Sequence, residues 1–189
     1  VIAETGCTAT VGKQMQVPTA WARFDTYARL AMEPHDVIPL PPGEMPATAL
    51  APGGLMGAIV RRAPVGVVAC ITPYNFPIVN MAGKLGPALA MGNTVVVRPA
   101  SQNPLAVIEL VKIMHEVGFP EGVVNVVTGS TPGSGEALVE SRDVDMVAFT
   151  GSTGVGLRIA EVGGRTMKRT LLELGGKGAA LVFDDADVK

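Results

Sequence analysis

From Val65 onward the chain repeats one pattern, a short and largely apolar run followed by a stretch of helical periodicity. The runs are Val65–Ile71, Thr94–Val97, Val123–Val127, Met146–Phe149, Arg169–Leu174 and Ala179–Val182. Helices are predicted between them over Val79–Met91, Leu105–Val117, Gly135–Glu140 and Thr153–Val162. Stop signals follow three of these at Gly92-Asn93, at Gly118 with Pro120 beyond it, and at Gly163-Gly164. Strands apolar on both faces that alternate with helices require a parallel sheet covered on both sides. The expected fold class is α/β, a doubly wound and mostly parallel sheet.

The preceding segment reads differently. Lys13–Met32 has helical spacing, with Trp21, Phe24, Ala28 and Ala31 on one face, Pro18 near the start or at a kink, and Pro34 closing it. His35–Gly57 is rich in Pro and Gly (Pro39, Pro41, Pro42, Gly43, Pro46, Pro52, Gly53, Gly54) and reads as an extended arm or, more simply, a surface loop. Ala58–Arg62 is expected as a short strand that pairs locally. Residues 1–63 are thus a helical segment with an arm, and residues 64–189 the α/β domain.

Composition excludes several classes of function. The 189 residues can bury a sizeable core, and 48% of them are hydrophobic while only 17% are charged. A net charge of -2 offers no basic footprint for nucleic acid or an anionic membrane. No apolar run reaches the roughly 18 residues of a membrane span. The two cysteines, Cys7 in a polar turn and Cys70 in an apolar run, match no metal or redox spacing. They fit a reducing compartment, so a cytoplasmic location and no metal are expected. Neither His35 nor His115 is assigned a role. The start, Val-Ile-Ala-Glu-Thr-Gly, has no initiator Met and no signal-peptide pattern, and the chain reads as an internal stretch of something longer.

In a doubly wound sheet ligands bind at the carboxyl ends of the strands. Those exits are Thr72-Pro-Tyr-Asn-Phe-Pro77, Arg98-Pro-Ala-Ser101, Thr128-Gly129, Thr150-Gly-Ser152 and Glu173-Leu-Gly-Gly176. Gly151-Ser-Thr-Gly-Val-Gly156 has the logic of a phosphate-binding turn, glycines for close backbone approach and Ser152 to cap a helix or bond an anion. A glycine-rich helix start with no ligand fits it equally. Arg98 is a fixed cation for ribose hydroxyls or phosphate, or a surface ion pair. Glu173, in an apolar strand, is expected partly buried with a raised pKa as a general base, or else paired with Lys84 or Lys177. Asn75 can donate its amide to a developing oxyanion, or form an Asx-turn beside Pro77.

Five motifs in this order resemble the aldehyde dehydrogenase superfamily. They are Pro73-Tyr-Asn-Phe-Pro77, Lys84-Leu-Gly-Pro-Ala-Leu-Ala90, Gly92-Asn-Thr-Val-Val-Val-Arg-Pro99, Phe149-Thr-Gly-Ser-Thr-Gly154 and Leu172-Glu-Leu-Gly-Gly-Lys177. The resemblance covers nearly the whole chain and is densest from Pro64 to Asp187. It implies a Rossmann-like cofactor domain and NAD(P)-dependent oxidation of an aldehyde to an acid. In that chemistry a Cys attacks the aldehyde to form a thiohemiacetal, hydride leaves to the nicotinamide, and water hydrolyses the thioester. Asn75 matches the oxyanion-stabilising Asn, and Glu173 the Glu that activates water or the thiol. Cofactor contacts are implied at Ile71, Thr72, Pro73, Tyr74, Asn75, Arg98, Ala100, Ser101, Gly129, Gly135, Phe149, Thr150, Gly151, Ser152, Val155, Glu173, Leu174 and Gly175, with Gly176 flanking the same region.

The sequence departs from the family's usual residues in three places. Tyr74 stands where Trp is usual and Arg98 where Lys is usual. Ser101 stands where many NAD-preferring members carry a Glu that repels a 2′-phosphate, so NAD and NADP are both expected cofactors. The resemblance also places the nucleophilic Cys beyond Lys189, with the rest of the catalytic domain and the oligomerisation strands. This stretch alone is therefore expected to bind cofactor without turning over aldehyde, and to expose apolar surface at its cut edge. The partners implied are a small-molecule aldehyde and further copies of the parent, a homo-oligomer. A non-catalytic dinucleotide-binding or interaction module, and a semialdehyde or acylating dehydrogenase, remain the alternatives.

Overall fold

The computed structural model describes residues 1–33 and 37–187. Five parallel strands form the expected sheet: β3 (Val67–Ile71), β4 (Thr94–Arg98), β5 (Val124–Val126), β6 (Met146–Thr150) and β7 (Arg169–Glu173), in the order β5-β4-β3-β6-β7. The central strands carry fully buried residues on both faces, such as Ala69 and Cys70 of β3, because helices cover both sides. On one side α3 (Pro77–Ala90) and α4 (Leu105–Glu116) pack over Val68, Cys70, Val95, Val97 and Val124. On the other, α5 (Gly133–Glu140) and α6 (Thr153–Gly164) pack over Ala69, Ile71, Val147 and Phe149.

Turn chemistry sets the element ends. Gly92 and Gly118 follow α3 and α4 with φ of 76° and 97°, the left-handed conformation that glycine adopts without steric penalty. Gly163 and Gly164, expected to stop α6, are instead its last two residues. α3 starts at Pro77, two residues before its expected start, because proline's fixed φ suits a first turn. The expected strand Ala179–Val182 does not form. No strand among the described residues pairs with it, and Leu181, Val182 and Phe183 are exposed.

At the N-terminus α1 (Ile2–Thr5) and a π-helical stretch, Val11–Gln16, lead into α2 (Val17–Ala31), with Pro18 in its first turn. The apolar face expected of α2 is corrected: Trp21 is 69% exposed and Ala28 and Ala31 lie outward. The face that meets α3 is Ala20, Arg23, Phe24 and Tyr27. Two glycines of α3 make room for it, Gly83 under Arg23 and Gly86 under the Tyr27 ring. Counting only apolar residues missed this face, since Arg and Tyr cover apolar surface with their stems and rings. The Arg23 guanidinium then donates to the Val79 carbonyl at 2.6 Å. Pro34, expected to close the helix, and His35 lie outside the described residues.

The loop reading of the arm is also corrected. β1 (Val37–Met45) and β2 (Gly54–Arg61) pair as an antiparallel hairpin. The register shifts between Leu40 and Gly43, where Pro41 and Pro42 sit, because proline gives the ladder no donor. Every residue of the hairpin is exposed.

Candidate functional site

The strand exits lie in register. Arg98 of β4 pairs with Ile71 of β3, Ile71 with Phe149 of β6, and Phe149 with Leu172 of β7. The next pair along is Thr150 with Glu173, and the Gly151 N–H donates to the Glu173 carbonyl at 3.0 Å. β4 and β6 flank β3, so the chain crosses to opposite sides of the sheet at this edge, where open α/β sheets bind ligands. Because side chains alternate along a strand, neighbouring residues serve two clefts on opposite faces.

On the α5–α6 face lies a cleft of about 440 Å³, within the range of small-molecule sites. Ile71, Val139, Phe149, Val155, Ile159 and Val162 give it apolar walls, and Arg98, Ser101, Ser152, Gly135 and Arg158 add polar groups and backbone. Arg98 forms no ion pair among the described residues, which overturns the surface-pair reading. Its Nη2 donates to the Thr131 carbonyl at 3.1 Å and its Nε to Ser134 Oγ at 3.5 Å. Ser152 caps α6, its Oγ accepting from the Val155 N–H at 3.4 Å. The N–H groups of Thr153 and Gly154 have no partner among the described residues, so the positive end of the helix dipole stays available to an anion.

The glycines of this turn divide by task. A Cβ at Gly151 would strike the Phe149 ring and one at Gly156 would strike Leu174, so both permit packing inside the protein. Gly154 alone faces open space and lines the cleft. The sequence left the turn open between phosphate approach and a ligand-free helix start, and two of its three glycines are packing residues.

On the α3 face an open cleft of about 1230 Å³ is lined by Lys84, Thr150, Glu173 and Leu174, with Ala148, Met146 and Leu171 along its floor. Glu173 is exposed on the edge strand, which corrects the expectation of a partly buried carboxylate. Its apolar neighbours Leu172 and Leu174 turn to the α6 side, where they meet the Phe149 cluster and Gly156, and Glu173 is left facing the open α3 side. Lys84 is the buried group here, 7% exposed on α3. Burial lowers its pKa, while the nearby Cys70 thiol and the Glu173 carboxylate act the other way and Arg23 adds to the lowering. Lys84 and Glu173 therefore sense each other's charge without forming a direct ion pair. The signal for Lys84 was a cation inside an otherwise apolar helix. Arg158 was missed because it reads as a solvated helical residue. It lines the α5–α6 cleft while reaching Glu140 at 3.8 Å and Glu161 at 3.7 Å.

Asn75 is exposed in the bend between β3 and α3. Its Oδ1 accepts from the adjacent Phe76 N–H at 3.0 Å, which is not the i+2 contact of an Asx-turn, and its amide donor is free among the described residues. Tyr74 is exposed beside it, Pro73 half-buried, and Thr72 buried with an unpartnered Oγ1. Ala100 is buried beneath the loop that carries Ser101. Gly129 sits against Ser134 Oγ and Gly175 against Thr153. The sheet edge thus brings together Ile71, Arg98, Ser101, Gly135, Phe149, Ser152 and Val155 in one cleft, and Thr150, Glu173 and Leu174 in the other. Thr72, Pro73, Tyr74, Asn75, Ala100, Gly129, Gly151 and Gly175 line neither.

Cys70 is fully buried between β3 and α3, where burial pushes its thiol up to about 12 despite nearby Lys84, which disfavours a nucleophilic thiolate there. No metal-binding cluster of His, Cys, Asp and Glu occurs among the described residues, and no described helix is long and apolar enough to cross a membrane.

Comparison with known proteins agrees with this geometry. Residues 1–189 match the model of the aldehyde dehydrogenase family. Aldehyde dehydrogenase 1A1 of Mus musculus is 53% identical over 129 residues, covering 68% of this chain and 26% of the relative. The Homo sapiens protein of that name is 50% identical over the same length. Among solved structures, Mycobacterium tuberculosis aldehyde dehydrogenase complexed with NAD+ superposes with a TM-score of 0.81 at 34% identity, over 98% of this chain and 36% of that one. The NAD+ complex of aldehyde dehydrogenase from Bacillus cereus gives 0.76 at 36% identity, over 95% and 34%. The chain therefore spans about a quarter to a third of the proteins it matches, and with its motifs in order on this sheet it belongs to the aldehyde dehydrogenase family.

Proposed function

We propose that this chain is the dinucleotide-binding part of an NAD(P)-dependent aldehyde dehydrogenase that oxidises an aldehyde to a carboxylic acid, its nucleophilic Cys lying beyond Lys189. One observation carries the reading. A single sheet edge presents a cleft of nucleotide size with a tethered cation on one face and the Lys84–Glu173 pair on the other, with the Asn75 bend leaving the strand between them. The NAD+ complexes of the two bacterial relatives support it.

The residues fit the cofactor. The apolar walls of the α5–α6 cleft take the adenine, Arg98 meets ribose hydroxyls, and the start of α6 faces the pyrophosphate. Ser101 adds no carboxylate against a 2′-phosphate, so NADP is accommodated as well as NAD. When bound, the cofactor supplies the hydride acceptor. Glu173 receives the proton of the thiol or of the hydrolytic water, and Lys84 holds a positive charge near it. Asn75 donates its amide to the oxyanion that forms on the aldehyde oxygen when the thiolate adds to the carbon. Two unpaired cysteines support a cytoplasmic setting. The fully exposed hairpin, too small to be stable as a lone ribbon, supports a homo-oligomer.

Calorimetric titration with NAD+ and NADP+ tests the reading. Both are expected to bind saturably, with affinities within about tenfold of each other, or about 1.4 kcal/mol. No saturable binding of either contradicts it.

A further inference from the structure

We propose that Asn103, which none of the assigned roles uses, is the positioning residue for Asn75. The proposal rests on the oxyanion role of Asn75 given above. Asn103 lies in the loop between β4 and α4, is 2% exposed, and its Nδ2 donates to the Tyr74 carbonyl at 2.6 Å. That carbonyl belongs to the peptide that leads into Asn75. A short, part-buried hydrogen bond from a different loop therefore fixes the bend at the residue next to the oxyanion donor, while Asn75 itself stays exposed and holds only its neighbour's N–H.

The usual explanation of an Asn before Pro-Leu at a helix start is capping. Here another residue performs that task. The Glu4 carboxylate, a hundred residues away in sequence, accepts the Leu105 N–H at 2.6 Å and the Ala106 N–H at 2.7 Å, and α4 has no side-chain cap of its own. Asn103 is thereby released from α4. Its Oδ1 is buried without a partner, an arrangement that native proteins keep rarely and usually for a reason other than stability. The same loop carries Ser101, which lines the α5–α6 cleft. Asn103 ties the loop of the nucleotide cleft to the bend that serves the reacting carbon.

The test uses the full-length protein, with kcat and KM for an aldehyde and the Kd of NAD+ measured for Asn103→Leu, Asn103→Thr and Asn75→Ala. Leu keeps the branched shape and removes the donor, and Thr restores a hydroxyl donor. Asn103→Leu is expected to lower kcat at least about tenfold, as a misplaced catalytic group does, with the Kd of NAD+ within about twofold. Asn103→Thr is expected to recover most of the loss, and adding Asn103→Leu to Asn75→Ala to cost nothing further. If the Leu variant does not fold, Asn103→Ala against Asn103→Ser makes the same comparison. Wild-type kcat in the Leu variant, or equal impairment of Thr and Leu, overturns the proposal while leaving the oxyanion reading intact. Wild-type kcat in Asn75→Ala removes that reading and the proposal with it.

Discussion

Two faces of one sheet end at the same edge and are finished in different ways. On the α5–α6 face the polar groups are already held: Arg98 by Thr131 and Ser134, Ser152 by the first turn of α6. On the α3 face Lys84 and Glu173 sense each other across an open cleft without a direct bond. The first arrangement suits recognition of a fixed ligand, where preorganised donors lower the cost of binding. The second suits groups that change protonation, since a Lys–Glu pair locked by a short ion bridge would hold its charges. In the proposed function binding and proton handling are thus separated by the thickness of a sheet, with Asn75 and its proposed anchor Asn103 on the connections at the shared edge.

That division can be broken from either side. The largest effect is expected at Glu173. In the full-length protein Glu173→Gln should lower kcat by about 10²-fold or more, with the Kd of NAD+ within about twofold, as removal of a general base predicts. A matching loss of NAD+ binding would show that the faces are not separate. Next comes Arg98→Ala, which removes charge-assisted bonds worth about 1.5–3 kcal/mol. The Kd of NADP+ should rise more than that of NAD+, and equal losses would refute the role given to its charge.

Smaller effects concern stability. Glu4→Ala removes both capping bonds of α4 and should cost about 1–2 kcal/mol in denaturant unfolding, leaving NAD+ affinity unchanged. Lys84→Met gives the subtlest signature. Burial lowers the Lys84 pKa below its ordinary 10.5, so the folded chain releases that proton before the unfolded chain does. The cost of the buried charge is present in full below the folded pKa and fades as pH rises towards 10.5, so stability increases across that window. Lys84→Met should raise stability at pH 7 and flatten the rise. Thermal unfolding between pH 7 and 10 distinguishes this from an unchanged slope.

The sheet and its helices were legible because apolar runs and helix stops are local signals. Gly92 and Gly118 need left-handed backbone, and the sequence marks them. What was not legible depended on partners distant in the chain. Trp21 is exposed because Gly83 and Gly86, some sixty residues on, select Arg23 and Tyr27 for contact. Glu173 looked buried from its neighbours, but the burial of a strand depends on what covers it, and β7 is the edge. Gly156 looked like a ligand glycine, and only the fold shows Leu174 lying against it. Asn103 carried no local signal, because its partner, the Tyr74 carbonyl, lies on a different loop. Residue types at the strand exits were readable, and the division of labour between the faces was not.

The separation of the faces is tested most directly by hydrogen exchange of the chain with and without saturating NAD+. The account predicts slower exchange over 129–140 and 150–162, which flank the α5–α6 cleft, and no change over 77–90 in α3. Protection of 77–90 equal to that of 150–162 would contradict it and place the dinucleotide on the face that holds Lys84.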